Sequence, residues 1–328
     1  MAVSILITGG AGFVGSAIID AVQEKHPQWK VSVLDLQMLS HPRNNVHYER
    51  GDITLPADIE RIVHLVRPTA IIHSAGFIPE LASRYNRKAR NRAFSVNVEG
   101  TRNVLTIAKS AGVEVLVWTG SCTAVTDDTA AEALVLAAND EKFATCALRP
   151  SVIFGPGDGQ LIPSLYSCIM KGETPYILGS GLNLWDVTYV TNVADAHVLA
   201  VENLLSSRTA AGEAIFISNE QPIPFRDFCL AVWREFGHYP PFQVHIPRSI
   251  AAFAGVVADW MSWLTGIQTT LSNGSVNDAC ATRYCSGTKA REVLGYVPKV
   301  GLEEGIKRSC EEYRRRCKFG EKHDILEQ

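Results

Sequence analysis

The apolar residues of this chain fall in short runs that do not alternate with polar ones. Ile5-Leu6-Ile7 leads straight into Thr8-Gly9-Gly10-Ala11-Gly12-Phe13-Val14-Gly15, and Ala17-Ile18-Ile19 with Val22 carry the pattern on as a helix. A strand that is apolar on both sides belongs to a sheet covered by helices on both faces. Comparable runs recur at Val31-Ser32-Val33-Leu34, at Val46 to Glu49, at Ala70-Ile71-Ile72-His73 and at Val115-Leu116-Val117-Trp118. Helices are predicted between them, one from Pro56 to Val66 with the proline at its start, and a long amphipathic one marked by Phe94, Val98, Val104, Leu105 and Ala108. Thr145 to Arg149, closed by Pro150, reads as a sixth strand. Such β-α alternation predicts an α/β fold with a doubly wound parallel sheet, because right-handed crossovers place helices on both faces. Past Pro150 the spacing turns irregular. A first domain over 1–150, with a return segment near 186–218, and a smaller second lobe from 151–185 and 219–328 are therefore expected.

The turn after the first strand carries the chemistry. Gly10, Gly12 and Gly15 satisfy G-x-G-x-x-G, and Gly9, Gly12 and Gly15 satisfy the G-x-x-G-x-x-G variant. A dinucleotide site needs glycine there because the turn is tight, the backbone approaches a pyrophosphate closely, and the helix packs flat on its strand. The free N–H groups of Phe13 and Val14 then face the phosphates at the positive end of the helix. The second strand ends in Asp35, about twenty residues past the glycines, where an acidic side chain grips a ribose 2'-hydroxyl. Asp35 favours NAD over NADP, since a 2'-phosphate meets a like charge and Leu36-Gln37-Met38 supply no cation. In a Rossmann sheet ligands bind at the carboxyl ends of the strands. That rule gathers Asp52, Ile53, Ser74, Ala75, Gly76, Thr119 and Ser121 on the same edge as the glycines.

Composition sharpens the class. With 46% hydrophobic and 20% charged residues the chain is globular, and a net charge of -3 gives no global attraction to nucleic acid. The eight cysteines show no C-x-x-C and no framework spacing, as in a reducing, cytoplasmic setting. The N-terminus enters the first strand directly, with no export signal. Residues 250–264 form an apolar stretch too short to span a bilayer. A buried helix lining the second lobe is the expectation there, with peripheral contact to a membrane as the alternative. Lys307-Arg308 and Arg314-Arg315-Arg316 read as a solvated basic face. His73 and His197 sit in apolar runs and read as satisfied core histidines, and no metal-ligand spacing occurs.

Five segments together resemble the extended short-chain dehydrogenases, specifically the 3β-hydroxysteroid dehydrogenase and sterol-4α-carboxylate 3-dehydrogenase family in its fungal form. They are TGGAGFVG at 8–15, VNVEGTRNVL at 96–105, ALRPSVIFGPGD at 147–158, DVTYVTNVADAHVLA at 186–200 and KAREVLGYVPKVGLEEGI at 289–306. The resemblance implies oxidation of a secondary 3-hydroxyl on a sterol or terpenoid-type fused ring by NAD(P), and extends to secondary metabolism. It adds Asn97 and Pro150 to the cofactor contacts and makes Ser121 the catalytic serine that holds the substrate oxygen. It also implies an apolar alcohol as substrate, a homodimer through the helices beside the fourth and fifth strands, and a place in the cytoplasm or peripherally at the endoplasmic reticulum. An aromatic lobe with Trp233, Phe236, Phe242, Phe253, Trp260 and Trp263 is expected to cover that substrate.

One part of the pattern is missing. The family carries a Tyr-x-x-x-Lys pair on the helix before the AEALVL segment, the tyrosine as general base and the lysine lowering its pKa. Here Thr126-Asp127-Asp128-Thr129-Ala130 runs directly into Ala131-Glu132-Ala133-Leu134-Val135-Leu136, and no tyrosine of the nine has a lysine four residues on. Three readings follow: a dehydrogenase whose segment is lost from the reading frame or replaced by another base, a cofactor-binding protein without hydride chemistry, or a non-redox isomerase. Asp127 and Asp128 are substitute bases of poor pKa match and fit better as a capping pair before a helix at Ala130. Tyr85, Tyr166 and Tyr189 are further candidates, with packing the ordinary role of a tyrosine.

Overall fold

A computed structural model describes residues 3–39, 42–79, 87–122, 126–265 and 273–326. The first half runs β1 (Ser4–Thr8), α1 (Phe13–Lys25), β2 (Lys30–Asp35), β3 (Val46–Arg50), α2 (Pro56–Val66) and β4 (Ala70–His73). A continuous helical stretch follows, with α3 (Arg87–Ala93) passing through a π-helical turn at Phe94–Gly100 into α4 (Thr101–Ser110). Then come β5 (Val115–Thr119), α5 (Thr126–Ala137) and β6 (Ala144–Pro150). The rest comprises β7 (Ile153–Phe154), α6 (Leu161–Met170), β8 (Tyr176–Leu178), β9 (Leu184–Trp185), β10 (Thr188–Tyr189), α7 (Val190–Leu205) and β11 (Ala214–Ile217). Last are β12 (Ile223–Pro224), α8 (Phe225–Glu235), β13 (Val244–Ile246), α9 (Arg248–Thr265), α10 (Asn273–Cys280), α11 (Thr288–Leu294) and α12 (Leu302–Leu326).

Seven strands form one parallel sheet in the order β11-β6-β5-β4-β1-β2-β3. The lack of alternation in the strands has a direct cause: successive residues enter two different cores. Ile5, Ile7, Val31, Val33, Ile72, Val115 and Val117 point into one, under α1 and α7. Leu6, Leu34, Ile71, Leu116 and Trp118 point into the other, under α2, α4 and α5. The first core also takes Ala290, Leu294 and Tyr296 from the segment around α11, beyond the boundary drawn at 219. The shortened crossover still works, since α5 buries Ala131 and Val135 and β5 pairs with β6 from Val115↔Ala144 to Thr119↔Leu148.

A third core forms the second lobe, around Phe154, Trp185, Tyr189, Phe228 and Trp233. Two expectations are corrected here. Helix α9 is not a buried wall: Ile250, Phe253, Val256, Val257, Trp260 and Met261 recur at helical spacing and stand exposed, Phe253 at 71% and Trp260 at 64%. Of the aromatic set only Trp233 is buried and Phe236 partly so, Phe242 is exposed, and the side chain of Trp263 lies outside the described residues. The basic face on α12 is likewise not wholly solvated. Arg314 reaches the Glu235 carbonyl and stacks over Phe236, while Arg316 donates to the Asp158 carbonyl oxygen at 2.7 Å.

His73 and His197 are fully buried and satisfied. Thr101 donates to the Asn97 carbonyl, so its oxygen accepts from His73 Nε2 at 2.9 Å, and His73 Nδ1 accepts from Thr8 at 2.6 Å. His197 donates from Nδ1 to the Val193 carbonyl at 2.8 Å and accepts from Thr119 at its Nε2, 2.7 Å away. Burial brings both down to about 4 from 6.5. Unfolding restores the ordinary value, so between these pH values the unfolded chain binds more protons and acid favours it. The thermal midpoint is expected to fall by roughly 5–10 °C as pH drops from 7 to 4.5. A midpoint that stays level over that range would contradict neutral, buried imidazoles.

Candidate active site

The carboxyl ends of the strands converge on one edge, and β1 lies at the switch between β2 on one side and β4 on the other. The loops after β1 and β4 touch there. A Cβ on Gly9, whose φ is +75°, would lie 2.7 Å from the Ala75 backbone, and one on Gly15 would lie 2.2 Å from the Gly9 carbonyl oxygen. Gly12 is the N-cap of α1 and no side chain caps that end, which leaves the first-turn N–H groups at Phe13 and Val14 available to a phosphate. These residues fit a dinucleotide.

Asp35 closes β2 beside this turn. Its carboxylate accepts from the Ala11 and Gln37 N–H groups, each at 3.0 Å, which leaves lone pairs for a ribose hydroxyl. Arg43, the cation nearest in sequence beyond β2, is already engaged by both carboxylate oxygens of Asp20 and by Ser16 at 3.3 Å. That pairing holds the guanidinium strongly charged.

The remaining expected contacts sort by what their side chains already do. Asp52 accepts from both the N–H and the hydroxyl of Thr54 at 2.8 Å, and Ile53 is buried against Gly100. Ser74 donates to the Thr8 carbonyl at 2.8 Å and Thr119 donates to His197, so the proton of each hydroxyl is already committed. Asn97 holds the loop after β4, accepting from the Phe77 N–H at 2.7 Å and donating to its carbonyl at 3.1 Å. A Cβ on Gly76 would lie 3.5 Å from the Asn97 amide oxygen, in ordinary contact with it. Ser121 is partly exposed just past β5, and Pro150 is buried at the end of β6.

Beside Ser121 lie residues that sequence pattern alone did not single out. Arg149 makes a two-point ion pair with Glu132 of α5 and stacks over Phe216 at 5.0 Å. Asp186 is buried, and that burial raises its carboxyl above the usual range. Cys122, Ser151 and Cys285 complete the cluster. Only their long-range contacts reveal them, which no local period encodes.

Of the candidate substitute bases, only Tyr166 and Tyr189 have described side chains. Helix α5 begins at Thr126, so Asp127 and Asp128 fall in its first turn instead of capping a start at Ala130, and their side chains lie outside the described residues. Tyr85 also lies outside them. Tyr166 packs edge-on against Phe236 and Tyr313 with centroids 4.9 and 5.5 Å away, and Tyr189, 2% exposed, packs against Phe154. Burial raises Tyr189, opposite to what a general base needs.

Two family models match this chain. That of the NAD dependent epimerase/dehydratase family covers residues 5–131, and that of the 3-beta hydroxysteroid dehydrogenase/isomerase family covers residues 128–248, so they meet within α5. A decarboxylating sterol-4-alpha-carboxylate 3-dehydrogenase of Schizosaccharomyces pombe is 36% identical, with 93% of this chain and 96% of that protein covered. The alignment runs over 335 positions while drawing on 93% of 328 residues, so the relative supplies positions with no counterpart here. The enzyme of the same description from Saccharomyces cerevisiae is 34% identical, with 93% and 96% covered. Among solved structures, the UDP-glucose 4-epimerase of Thermotoga maritima with UDP-glucose superposes with a TM-score of 0.74 at 22% identity, covering 96% of this chain and 99% of that one.

Proposed function

Because the chain belongs to the 3-beta hydroxysteroid dehydrogenase/isomerase family, we propose that it is an NAD-dependent oxidoreductase that converts a secondary 3-hydroxyl of a sterol or terpenoid-type fused-ring substrate to a ketone. The observation that carries this reading is the meeting of the uncapped α1 N-terminus, Asp35 and Ser121 on one sheet edge. NAD supplies the hydride acceptor when bound. Phe13 and Val14 hold the pyrophosphate through backbone N–H groups, Asp35 accepts from the ribose, and Ser121 donates to the substrate oxygen. NAD is preferred to NADP because Asp35 repels a 2'-phosphate and Arg43 is occupied by Asp20.

The exposed stripe on α9 is assigned to peripheral contact with a membrane, at the endoplasmic reticulum, from which an apolar substrate is drawn. Among the described residues no helix is long and apolar enough to cross one. The substrate lobe is taken as 151–185 with 219–328 apart from the segment around α11, which packs in the first core; a homodimer would form beside β4 and β5, and secondary metabolism is a second possible source of substrate besides sterol synthesis.

A second reading, an NAD-binding protein without hydride chemistry or a non-redox isomerase, is favoured by the missing Tyr-x-x-x-Lys pair. One experiment separates the two. Purified chain is titrated with NAD, NADH and NADP by calorimetry, then incubated with a 3β-hydroxysteroid and NAD at about pH 9 while NADH absorbance is followed, with phosphatidylcholine vesicles added in a parallel sedimentation. Tighter binding of NAD than NADP, turnover and co-sedimentation are expected. NAD binding without turnover on a broad alcohol panel would select the second reading, and a chain left in the supernatant would remove the membrane assignment.

A further inference from the structure

The helix α12 lies along the loop that leads from β7 into α6. Gly305, Glu312 and Arg316 stand at i, i+7 and i+11 and so share one face of that helix. Gly305 is pressed against the start of the loop, where a Cβ would lie 3.0 Å from Phe154 Cζ and 2.8 Å from Tyr189 Cδ2. Farther along the same face, Glu312 accepts from the Gly157 N–H at 3.2 Å and Arg316 donates to the Asp158 carbonyl oxygen at 2.7 Å. The two side chains pair with each other at 3.3 Å. The other side of this loop faces the glycine turn. A Cβ on Gly157, whose φ is +89°, would lie 3.5 Å from Phe13 Cδ2, in ordinary contact with the ring. Pro156 and Gly157 line one cleft with Ala11, Gly12 and Phe13, so the loop is a wall beside the uncapped end of α1.

We propose that Glu312 and Arg316 are positioning residues for the cofactor: from α12 they fix the 156–158 loop as the wall that keeps the Phe13 ring, and with it the first-turn N–H groups, in place for the pyrophosphate. This role rests on NAD being the ligand and adds a part of the second lobe to the first domain's cofactor site. Neither side chain needs to touch NAD. Gly157 has no side chain to pack, so its place in the wall depends on what its backbone bonds to, and Glu312 supplies that bond. The far end of the loop is fixed separately, where the Asp158 carboxylate accepts from the Gln160 N–H at 2.7 Å and the Ile162 N–H at 2.8 Å. With the α12 bonds made, the wall is ordered before NAD arrives. With either lost, Gly157 regains its freedom and binding must supply the ordering. The carboxylate does not repel the cofactor, because Arg316 balances it.

The test reads binding and needs no turnover. The full chain, Glu312→Gln, Arg316→Gln and Phe13→Leu are titrated by calorimetry with NAD and with adenosine, which keeps the ribose hydroxyls but has no phosphate. Each α12 variant should bind NAD about threefold to tenfold more weakly and adenosine as the parent does. In the Phe13→Leu background, Arg316→Gln should cost no more than about 1.5-fold further, since the ring through which it acts is gone. A role in folding alone would lower the melting midpoint without separating NAD from adenosine. Hydrogen exchange on the unaltered chain covers the case of a variant that does not fold: NAD should slow exchange in peptides spanning 155–160 and 309–317 by at least about threefold. Variants that bind NAD as tightly as the parent, that lose NAD and adenosine alike, or whose losses add fully to that of Phe13→Leu overturn the role of α12, as does unchanged exchange in those peptides, while the cofactor reading stands. A parent chain that binds no NAD removes both.

Discussion

Replacing residues 123–130 with a crossover segment that carries the family's Tyr-x-x-x-Lys pair and leads into Ala131 is expected to raise kcat by about 10²–10⁴-fold. That is the usual contribution of a positioned general acid or base. The NAD dissociation constant should change by less than about threefold. The reason lies in which elements carry which task. The glycine turn and Asp35 sit after β1 and β2, whereas the graft enters between β5 and β6. Helix α5 is already seated by Ala131 and Val135 and by the ion pair from Glu132 to Arg149, so the added residues extend its start without disturbing its packed end. Binding and turnover are measured on the same preparation. A control graft with phenylalanine for the tyrosine should bind NAD equally and lose the gain. Should the intact graft fold, bind NAD and show no gain over the parent chain, the pocket is not built for hydride removal and the non-redox reading takes its place.

What the sequence disclosed and what it withheld follow from how far apart the interacting residues lie. The sheet was legible because Ile5, Leu6 and Ile7 need only local pattern to announce a strand packed on both faces, and the two cores bear this out. The glycine turn was legible because its steric demand falls within seven residues. The exposure of α9 was not, since an amphipathic stripe marks an apolar face without saying whether protein covers it. Nor was the docking of Arg314 and Arg316, whose partners Glu235 and Asp158 lie far back in the chain. Asn97 shows a third limit. Its motif marks it as a residue at the cofactor edge, while its hydrogen bonds to Phe77 show a side chain holding the loop that shapes that edge.

Gly15→Ala is expected to weaken NAD binding at least about 100-fold, with a stability loss on the order of 1–3 kcal/mol from overpacking. The added methyl would lie 2.2 Å from the Gly9 carbonyl oxygen, 2.7 Å from Gly10 Cα and 2.8 Å from the Gly9 carbonyl carbon. All three are backbone atoms of the turn itself, so no side chain can rotate to make room. Relief requires the turn to separate from α1, and that displaces the N–H groups meant for the pyrophosphate. Gly12→Ala should be milder in packing, because its methyl meets only the Gly9 oxygen at 3.2 Å. Gly159→Ala serves as the neutral control, as nothing lies within 4 Å of its Cβ position. Calorimetric titration of the three variants, with circular dichroism melts to separate binding from folding, gives the order Gly15, Gly12, Gly159 in lost affinity. If Gly15→Ala keeps the affinity of Gly159→Ala, the turn is not the cofactor's seat. The uncapped end of α1 then serves another anion, and the preference for NAD assigned to Asp35 falls with it.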